Sequence, residues 1–528
     1  MPSATMSGGR TARGYTYLKI LLLLFLLNSL SLYFYFRPSS TPNPDPTKRI
    51  HDDRGLLPHL PQGSSGDSSS SSGSVASRSM KRWPILPSYL PWTNPGLTPS
   101  YRSCEAFFGN GFFKDLPVIS PPSSARRGGE GGGGGWFRCF FSVTLGSSVC
   151  EGGNVRMNVG KIKMAKGGER LEDVIGRTED KEMPVFEDGA FEVEEGNGRK
   201  VGERLVDQEF VGNYIGRSKM GELIGSARIV EKGQLQCDEW IEESTLIVIR
   251  FEYANLFHTM TDWYNGYVSS RVTGLPYRPK VVFVDGHCKS PMEETWRALF
   301  SGFTYAKHFR GSVCFRHVIF SPLGYDNAMF KGLSDQIDCS GASSRSLWVN
   351  PDDRKTARLS EFGEMMRAAF NFPLDKPLDR GTSRHNVLFV RREDYLAHPR
   401  HSGKPESRLS NEPEVFEALR TWALSHSGCK IKLVNGLFAH MSMKDQVQAI
   451  QGASVIIGAH GAGLTHIVSA TPDTVILEII SSHYRRPHFE LIAKWKGLEY
   501  HAINLSGSYA IPSEVVGQLK SILKGLGC

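Results

Sequence analysis

The sequence predicts an α/β fold made of two units in series. Three observations predict it. Strand-like apolar runs alternate with helix-like segments from residue 239 to about 320, the alternation returns from residue 386 onwards, and a glycine-rich turn follows one strand of the second unit. Such alternation is typical of parallel sheets covered by helices. We therefore predict two Rossmann-like domains that face each other across a cleft.

Short apolar and β-branched runs indicate the strands, and longer segments with helical periodicity indicate the helices. In the first unit the predicted strands are 244–251, 280–285 and 317–320, and the predicted helices are 255–271 and 292–300. In the second unit the predicted strands are 386–391, 430–434, 454–457 and 474–480, and the predicted helices are 412–423, 443–452, 464–469, 487–496 and 512–523. Residues 101–233 carry no clear pattern.

Residues 20–36 predict a transmembrane helix. The run ILLLLFLLNSLSLYFYF is interrupted by only three polar residues, and as a helix it reaches roughly 25 Å. Basic residues precede it and acidic residues do not, which favours a cytosolic N-terminus. A cleaved signal peptide is the alternative, but the run ends in aromatic residues and lacks a small-residue cleavage site. We predict a type II signal anchor and a lumenal remainder.

The composition after this anchor predicts a stem followed by folded domains. The chain is first Pro-rich and then Ser-rich up to about residue 82, and such segments cannot bury enough apolar surface to fold. Aromatic residues return from Trp83. The predicted division is a cytosolic tail (1–19), the anchor (20–36), a disordered, flexible stem (37–100), an N-terminal lumenal α/β domain (101–380) and a C-terminal Rossmann-like domain (381–528).

Charge and cysteine content narrow the function further. Lys+Arg 62 against Asp+Glu 54 gives a formal charge of +8, but the basic residues are dispersed, so we predict no nucleic-acid partner. Nine cysteines follow the anchor; several should pair in an oxidising lumen, and the odd number leaves a free thiol or an intermolecular bond. Asn504 begins the one N-x-S/T sequence and is a candidate glycosylation site.

The stretch 454–466, SVIIGAHGAGLTH, predicts a strand, a tight turn and a helix N-terminus. Free backbone N–H groups at such a terminus accept an anion, and glycine lets the backbone approach it closely. The glycines are Gly458, Gly461 and Gly463, and His460 and His466 can add donors. The spacing is not G-x-G-x-x-G, so no dinucleotide motif is inferred. An ordinary strand-to-helix turn is the alternative.

Two further features fall at predicted strand ends of the second unit. Arg391 and Arg392 close the strand NVLFVRR, and Glu478 lies near the end of VILEII. Arginine and backbone N–H groups suit a pyrophosphate, and a carboxylate on a neighbouring strand suits a ribose diol. Each alone is more typical of a surface or structural residue, but together they predict a nucleotide site.

The helix predicted at 255–271 carries a second candidate set. His258 and Asp262 are four residues apart and share one face, and Asn255 lies one turn earlier. A histidine and a carboxylate in a cleft can deprotonate a hydroxyl group. The alternative is a helix N-cap at Asn255 with a structural histidine. The chain has no D-x-D triplet, which favours leaving-group stabilisation by arginine and a helix dipole rather than by a metal ion.

Four segments together resemble glycosyltransferase family 61, with the closest likeness to plant Golgi members. They are NLFHTMTD, NVLFVRRED, VIIGAHGAGLTH and FELIAKWKGLEYHAINL, supported by CEAFFGNGF and GGWFRCFFS earlier in the chain. The resemblance implies a GT-B-like fold, UDP-xylose as donor, and transfer with inversion in β-1,2 linkage to the core β-mannose of N-glycans. From the missing D-x-D triplet we expect no metal requirement, and we expect no other cofactor. It also implies a single-pass Golgi membrane location.

The resemblance also implies roles for the candidate residues. The acceptor belongs to domain 101–380 and the nucleotide sugar to domain 381–528. Asp262 is expected as the base with His258 beside it, slightly ahead of the reverse assignment. The donor-binding candidates are Arg391, Arg392, His460, Gly461, Ala462, Gly463, His466 and Glu478. The candidates for acceptor or sugar contact are Asn255, Trp263 and Tyr264, with a core role for the two rings equally open.

Two alternatives remain open at this point. The chain can be another pentosyl- or GlcNAc-transferase of the same family, or a lumenal glycan-binding protein that kept the fold and lost catalysis. The first differs in its donor, and the second predicts glycan binding without transfer.

Overall fold

The computed structural model describes residues 80–87, 112, 114–120, 134–142, 145–195, 201–331, 359–374, 384–392 and 408–528. They belong to a single compact body, residues 77–528, and both of the α/β units predicted from the sequence lie within it. The predicted tail (1–19), the anchor (20–36), most of the stem (37–100) and the domain border at 380/381 lie outside the described residues. None of the helices in the described ranges is long and apolar enough to cross a membrane.

The strands are, in chain order, β1 (Lys114–Ile119), β2 (Trp136–Ser142), β3 (Ser147–Gly153), β4 (Val155–Asn158), β5 (Ile162–Lys163), β6 (Val185–Phe186), β7 (Phe191–Glu194), β8 (Arg228–Val230), β9 (Glu239–Ile241), β10 (Thr245–Val248), β11 (Lys280–Phe283), β12 (Gly302–Tyr305), β13 (Ser312–Phe315), β14 (Val318–Phe320), β15 (Arg384–Val390), β16 (Lys430–Gly436), β17 (Val455–Ala459), β18 (Val475–Ile480) and β19 (Glu499–Asn504).

The α-helices are α1 (Glu179–Glu182), α2 (Gln208–Phe210), α3 (Lys219–Gly225), α4 (Leu256–Val272), α5 (Glu293–Leu299), α6 (Ala328–Lys331), α7 (Leu359–Ala369), α8 (Glu412–Ser425), α9 (Met443–Gln451), α10 (His488–Lys496) and α11 (Pro512–Gly525). A 3-10 helix, Ala462–Ser469, follows the glycine turn. Several helices begin and end where local chemistry dictates. The side chain of Ser442 accepts from the Asp445 N–H to cap α9, and α10 ends at Gly497 with φ 69°.

Within the described residues, the first large sheet has the order β1-β2-β3-β14-β10-β11-β12. Strands β14, β10, β11 and β12 are mutually parallel, and β1 to β3 extend the sheet in antiparallel pairing. A second, mixed sheet has the order β8-β7-β4-β13-β9. The parallel centre that the sequence predicts for this unit is confirmed, and the antiparallel extension was not predicted.

The sheet of the C-terminal unit has the order β16-β15-β17-β18-β19, with every pairing parallel. Counted from its first strand this is the order 2-1-3-4-5, one of the common doubly wound arrangements. The chain reverses its winding direction between β15 and β17, and ligands of such sheets bind outside the carboxyl ends of the strands at that point.

The predicted elements of both units are present, with shifts at their ends, so the α/β class is confirmed. The helix predicted at 464–469 is the 3-10 helix, which begins at Ala462 because the Leu464 N–H already donates to the Gly461 carbonyl at 3.0 Å. Strand β19 was not predicted. Residues 101–233, which carry no clear pattern, contain β1 to β8, whose short strands leave little periodicity to detect.

One apolar cluster connects the two units. It includes Trp263 of α4, Phe362 of α7, Val447 of α9 and Trp495 of α10, all fully buried. A hydrogen bond of 2.7 Å from the Met443 N–H to Glu294 Oε2 adds a polar contact between α9 and α5. The helix that carries the first candidate set and the helices around the glycine turn therefore share a core.

Three disulfides join described residues, so the prediction that several cysteines pair is confirmed: Cys139–Cys150, Cys237–Cys314 and Cys429–Cys528. The last one ties the start of β16 to the C-terminal residue. Cys288 is a buried free thiol, and the Tyr253 hydroxyl lies 3.0 Å from its sulfur.

The carboxyl ends of β10 and β11 are joined by a fully buried ion pair. Arg250 Nη2 and Nε contact Asp285 Oδ1 and Oδ2 at 2.7 and 3.1 Å, and the Arg250 N–H also donates to Asp285. Burial opposes the charge of Asp285, but the Arg250 guanidinium outweighs it and lowers the pKa of that carboxyl. The Arg250 side chain also lies over the Phe283 ring at 3.9 Å.

We predict that Asp285→Ala destabilises the protein by about 3–5 kcal/mol, because the buried guanidinium of Arg250 loses its closest counter-charge and keeps only Glu293, 3.9 Å away. The free energy of unfolding in urea measures the effect. Asp188→Ala removes the partner of Arg228 at the surface, where Asp188 is 56% exposed, and should cost no more than about 1 kcal/mol.

The pH dependence follows from the lowered pKa. The ionised Asp285 contributes its full stability above the pKa of the unfolded chain, about 3.9, and loses it as pH falls through the lower folded-state pKa. The difference between wild type and Asp285→Ala should therefore shrink only below about pH 4. Equal stabilities at neutral pH would contradict this description of the pair.

Candidate active site

The glycine turn lies at the reversal point of the parallel sheet. Strand β17 ends at Ala459, the turn passes through His460 and Gly461, and the 3-10 helix begins at Ala462. Its neighbour β15 ends beside it, with Val390 paired to Gly458. The first N–H groups of a helix have no partner within the helix, so those of Ala462 and Gly463 can serve an anion. Both residues are partly exposed.

Glycine is required at position 461 because the Arg392 side chain approaches the backbone closely, not because of the backbone conformation. Its φ of 172° is ordinary extended geometry, but a Cβ at this position would collide with Nη1 of Arg392. The guanidinium of Arg392 therefore rests directly on the turn. This contact supplies a cation beside the N–H groups of the 3-10 helix.

Arg391 points to a different element. Its Nε donates to Glu412 Oε1 at 3.0 Å, and the backbone N–H of Arg392 donates to Glu412 Oε2 at 3.1 Å. The guanidinium of Arg391 also lies 5.5 Å from the Phe416 ring centroid. Glu412 thus fixes the carboxyl end of β15 to helix α8, and burial raises the pKa of this carboxyl. Of the two predicted arginines, Arg392 is the one in contact with the turn.

His460 and Glu478 form one buried polar group. Nδ1 of His460 lies 2.5 Å from Glu478 Oε1, and the Tyr500 hydroxyl donates to Glu478 Oε2 at 2.6 Å. Glu478 is fully buried, and both of its oxygens are engaged in this way. The carboxylate therefore orients the imidazole of His460, and Tyr500 of β19 holds the carboxylate.

His466 lies inside the protein beneath the turn. Its Nε2 lies 2.7 Å from Gln446 Oε1, and its ring meets Phe438 edge-on with centroids 5.2 Å apart. Burial lowers its pKa to about 3, so the imidazole is neutral. These contacts fit a residue that supports the 3-10 helix; its predicted donor contact stays a prediction.

Helix α4 begins at the carboxyl end of β10. The Asn255 side chain accepts from the Phe257 N–H at 2.9 Å and caps the helix. This confirms the alternative interpretation of Asn255 as a helix N-cap. His258 is half-buried, and its ring lies 5.2 Å from that of Tyr325. Burial lowers the pKa of His258 to about 4. Its Nδ1 is buried and has no hydrogen-bond partner within the described residues.

Asp262 lies deeper than His258. It is 4% exposed, and its carboxyl accepts from the Gly324 N–H. Burial raises its pKa well above the ordinary value, although Arg250 acts in the opposite direction. The carboxyl is therefore held in its protonated form at a higher pH than an exposed aspartate.

The structure does not pair His258 with Asp262. Among the ion pairs and hydrogen bonds of the described residues none joins them, and burial alone accounts for the pKa of His258. Trp263 and Tyr264 are 0% and 1% exposed. Their rings lie in the core in this conformation, which favours the core role over stacking on a sugar.

The structure also brings the two candidate sets together. The Phe257 ring stacks on His488 with centroids 5.0 Å apart and an interplanar angle of 12°, and His488 lies 5.8 Å from His460. Nη1 of Arg408 approaches the His460 carbonyl at 3.4 Å. His488, Arg408, Tyr500 and Glu412 were not predicted. No spacing pattern marks them, since each comes from a different element.

Possible metal ligands in the described residues lie elsewhere. The single group of three or more such side chains is His385, Cys429 and Cys528. Its two cysteines form a disulfide, and the group lies near the start of β15 and β16, whereas the glycine turn follows the carboxyl end of β17.

Comparison with known proteins identifies the family of this chain. The family model described as Glycosyltransferase 61 matches residues 256–477. A β-1,2-xylosyltransferase of Arabidopsis thaliana is 55% identical over 97% of this chain and 98% of its own length. A second β-1,2-xylosyltransferase, from Oryza sativa subsp. japonica, is 58% identical over 86% of this chain and 84% of its own length. The chain belongs to the glycosyltransferase 61 family.

More distant relatives match only part of the chain. An EGF domain-specific O-linked N-acetylglucosamine transferase of Gallus gallus is 24% identical over 50% of this chain and 45% of its own length. The segment that matches the glycosyltransferase 61 model begins at the first residue of α4 and ends within β18. It therefore contains both His258 and the glycine turn.

We predict that Gly461→Ala lowers kcat/KM for the nucleotide sugar about 10- to 100-fold. The reason is that the substitution displaces the Arg392 guanidinium, and losing a hydrogen bond from a charged group costs about 1.5–3 kcal/mol. The new Cβ would displace Arg392 without straining the backbone. Steady-state kinetics measure the loss. Gly507→Ala is the control, because a Cβ there meets nothing within 4 Å. If the effect acts through Arg392, Gly461→Ala should cost much less in an Arg392→Ala background.

Proposed function

We propose that this chain is an inverting glycosyltransferase that moves xylose from UDP-xylose, in β-1,2 linkage, to the core β-mannose of N-glycans. Its 55% and 58% identity to two β-1,2-xylosyltransferases over most of the chain supports the transferred sugar and the linkage. The single structural observation that carries the proposal is the contact of Arg392 with Gly461, at the reversal point of a parallel sheet.

The leaving group is stabilised at this contact. In an inverting transfer the bond from the anomeric carbon to the UDP oxygen breaks while the acceptor oxygen attacks from the opposite face, so negative charge grows on the diphosphate. The Arg392 guanidinium, the N–H groups of Ala462 and Gly463 and the oriented His460 all lie where such charge is neutralised. These groups are fixed before the reaction, which is what electrostatic stabilisation requires.

The base is His258 in this proposal, the reverse of the order that the sequence favours. His258 is neutral above about pH 4 and is partly exposed, so its imidazole can accept a proton from the acceptor hydroxyl. Asp262 is buried, and burial raises the pKa of its carboxyl, so it keeps its proton to a higher pH than an exposed aspartate. Its carboxyl accepts from Gly324 and so positions the segment that carries Tyr325 against His258.

The architecture that accompanies this activity is GT-B-like, with the acceptor on the N-terminal unit and UDP-xylose on the C-terminal sheet. The anchor at residues 20–36 would place the enzyme in the Golgi membrane as a single-pass type II protein, with no nucleic-acid partner. Asn504, the candidate glycosylation site, is exposed at the end of the edge strand β19, where an enzyme can reach it.

We predict that the purified protein transfers xylose from UDP-xylose to a GlcNAc-terminated N-glycan, and that EDTA leaves the rate unchanged. Mass spectrometry of the glycan detects the product. UDP-GlcNAc and UDP-arabinose are the matched donors, and preferential transfer from either would assign the chain to another reaction of the family. Loss of transfer in EDTA that Mn²⁺ restores would refute the metal-free leaving group. A folded protein that binds the glycan without any transfer would be the catalytically silent alternative.

The assignment of the base makes a separate prediction. With His258 as base, kcat/KM should stay level from about pH 8 down to about pH 5 and fall only as His258 is protonated near its pKa of about 4. With Asp262 as base, the decline would begin at a higher pH because its pKa is raised.

Two substitutions sharpen this test. His258→Gln should lower kcat by about 10²- to 10⁴-fold, whereas Asp262→Asn should keep most activity, because the amide oxygen can still accept from the Gly324 N–H. The opposite ranking would return the base to Asp262.

A further inference from the structure

His488 lies between the two candidate sets. It is the first residue of α10, half-buried, and follows the segment that leaves the carboxyl end of β18. One face of its ring stacks on Phe257, the neighbour of His258, and its other close aromatic contacts are His460 and Phe489. A residue in this position contacts both the helix that carries the base and the turn proposed to bind the leaving group.

Within the described residues no hydrogen bond involves either ring nitrogen of His488. Burial lowers its pKa to about 4, so the ring is neutral and has one N–H donor and one acceptor nitrogen. Neither ring nitrogen is among the buried polar atoms that lack a partner, so both reach solvent and are open to a ligand or an ordered water.

The surroundings of His488 identify the charge of that ligand. Four basic side chains lie close enough to disfavour its protonation: His460, Arg486, His258 and Arg408. The carboxylate bound to His460, Glu478, already has both of its oxygens engaged by His460 and Tyr500. A neutral N–H donor surrounded by cationic and imidazole groups favours an anionic acceptor over a neutral hydroxyl group.

We propose that His488 is a donor-binding residue, whose ring N–H donates a hydrogen bond to the diphosphate of the bound nucleotide sugar. This rests on the proposed function for the presence of a nucleoside diphosphate at the turn. The stacking on Phe257 fixes the ring plane, so that the N–H is already oriented when the diphosphate arrives. The contact adds a fourth element, α10, to the cradle formed by β15, β17 and the 3-10 helix.

The test compares UDP with uridine, which lacks the diphosphate, as ligands of His488→Phe. Phenylalanine keeps the stacking on Phe257 and removes the N–H. UDP affinity measured by calorimetry should fall about 10-fold or more, the loss expected for one hydrogen bond to a charged group. Uridine affinity and the melting temperature should stay as in wild type. Unchanged UDP affinity, or an equal loss for uridine and UDP, would overturn the inference.

Controls separate this effect from general damage to the segment. His483→Phe changes an exposed histidine of the same segment and should leave UDP affinity unchanged. Should His488→Phe fail to fold, His488→Gln and His488→Leu give the same contrast, since the amide keeps an N–H donor and leucine does not. UDP affinity should then be greater for His488→Gln, and equal affinities would overturn the inference.

The outcome can be told apart from failure of the proposed function. A wild-type protein that transfers no xylose but binds UDP through His488 would refute the xylosyl transfer and support the role of His488. If the wild-type protein transfers xylose and His488→Phe binds UDP normally, the xylosyl transfer is supported and the role of His488 is refuted.

Discussion

The packing of the 3-10 helix at Ala462–Ser469 is the contact on which the rest of the site depends. Helices α4, α7, α9 and α10 all pack against it. Its C-terminal carbonyls accept hydrogen bonds from two buried basic side chains: Lys496 Nζ donates to the Val468 carbonyl at 2.6 Å, and Arg367 Nη1 to the Ser469 carbonyl at 2.9 Å. The positive charge of Arg367 is favourable at the C-terminal end of a helix. These contacts fix the helix whose opposite end is proposed to bind the anion.

Burial then decides the chemistry of the titratable groups around this helix. It lowers the pKa of Lys496 to about 7 and that of His258 to about 4, and it raises that of Asp262. In the proposed mechanism the low pKa of His258 leaves a neutral base for proton transfer, and Arg392 acts separately on the leaving group. The same low-polarity environment makes the Arg250–Asp285 pair indispensable, since neither charge could be buried alone.

Much of the fold could be predicted from the sequence. The β-branched runs ending at Ile457 and Ile480 and the helical stretch after Asn255 have strong local signals, and their order required parallel strands. Strand β19 was missed although it reads as a short alternating strand in EYHAIN. The sequence could not predict that Arg392 contacts the glycine turn while Arg391 contacts Glu412. Neighbouring residues of an extended chain point to opposite sides, and the sequence does not specify which side faces the turn.

The sequence alone determined the family, the α/β class, the glycine turn and the helix with His258 and Asp262, because each of these is encoded in a contiguous segment. Tertiary structure alone decided that Glu478 orients His460, that Arg392 rests on Gly461, that Asp262 is buried away from His258, and that His488 connects the two units. These relations join residues tens to hundreds of positions apart. They depend on distance, burial and ring orientation, which local patterns do not specify.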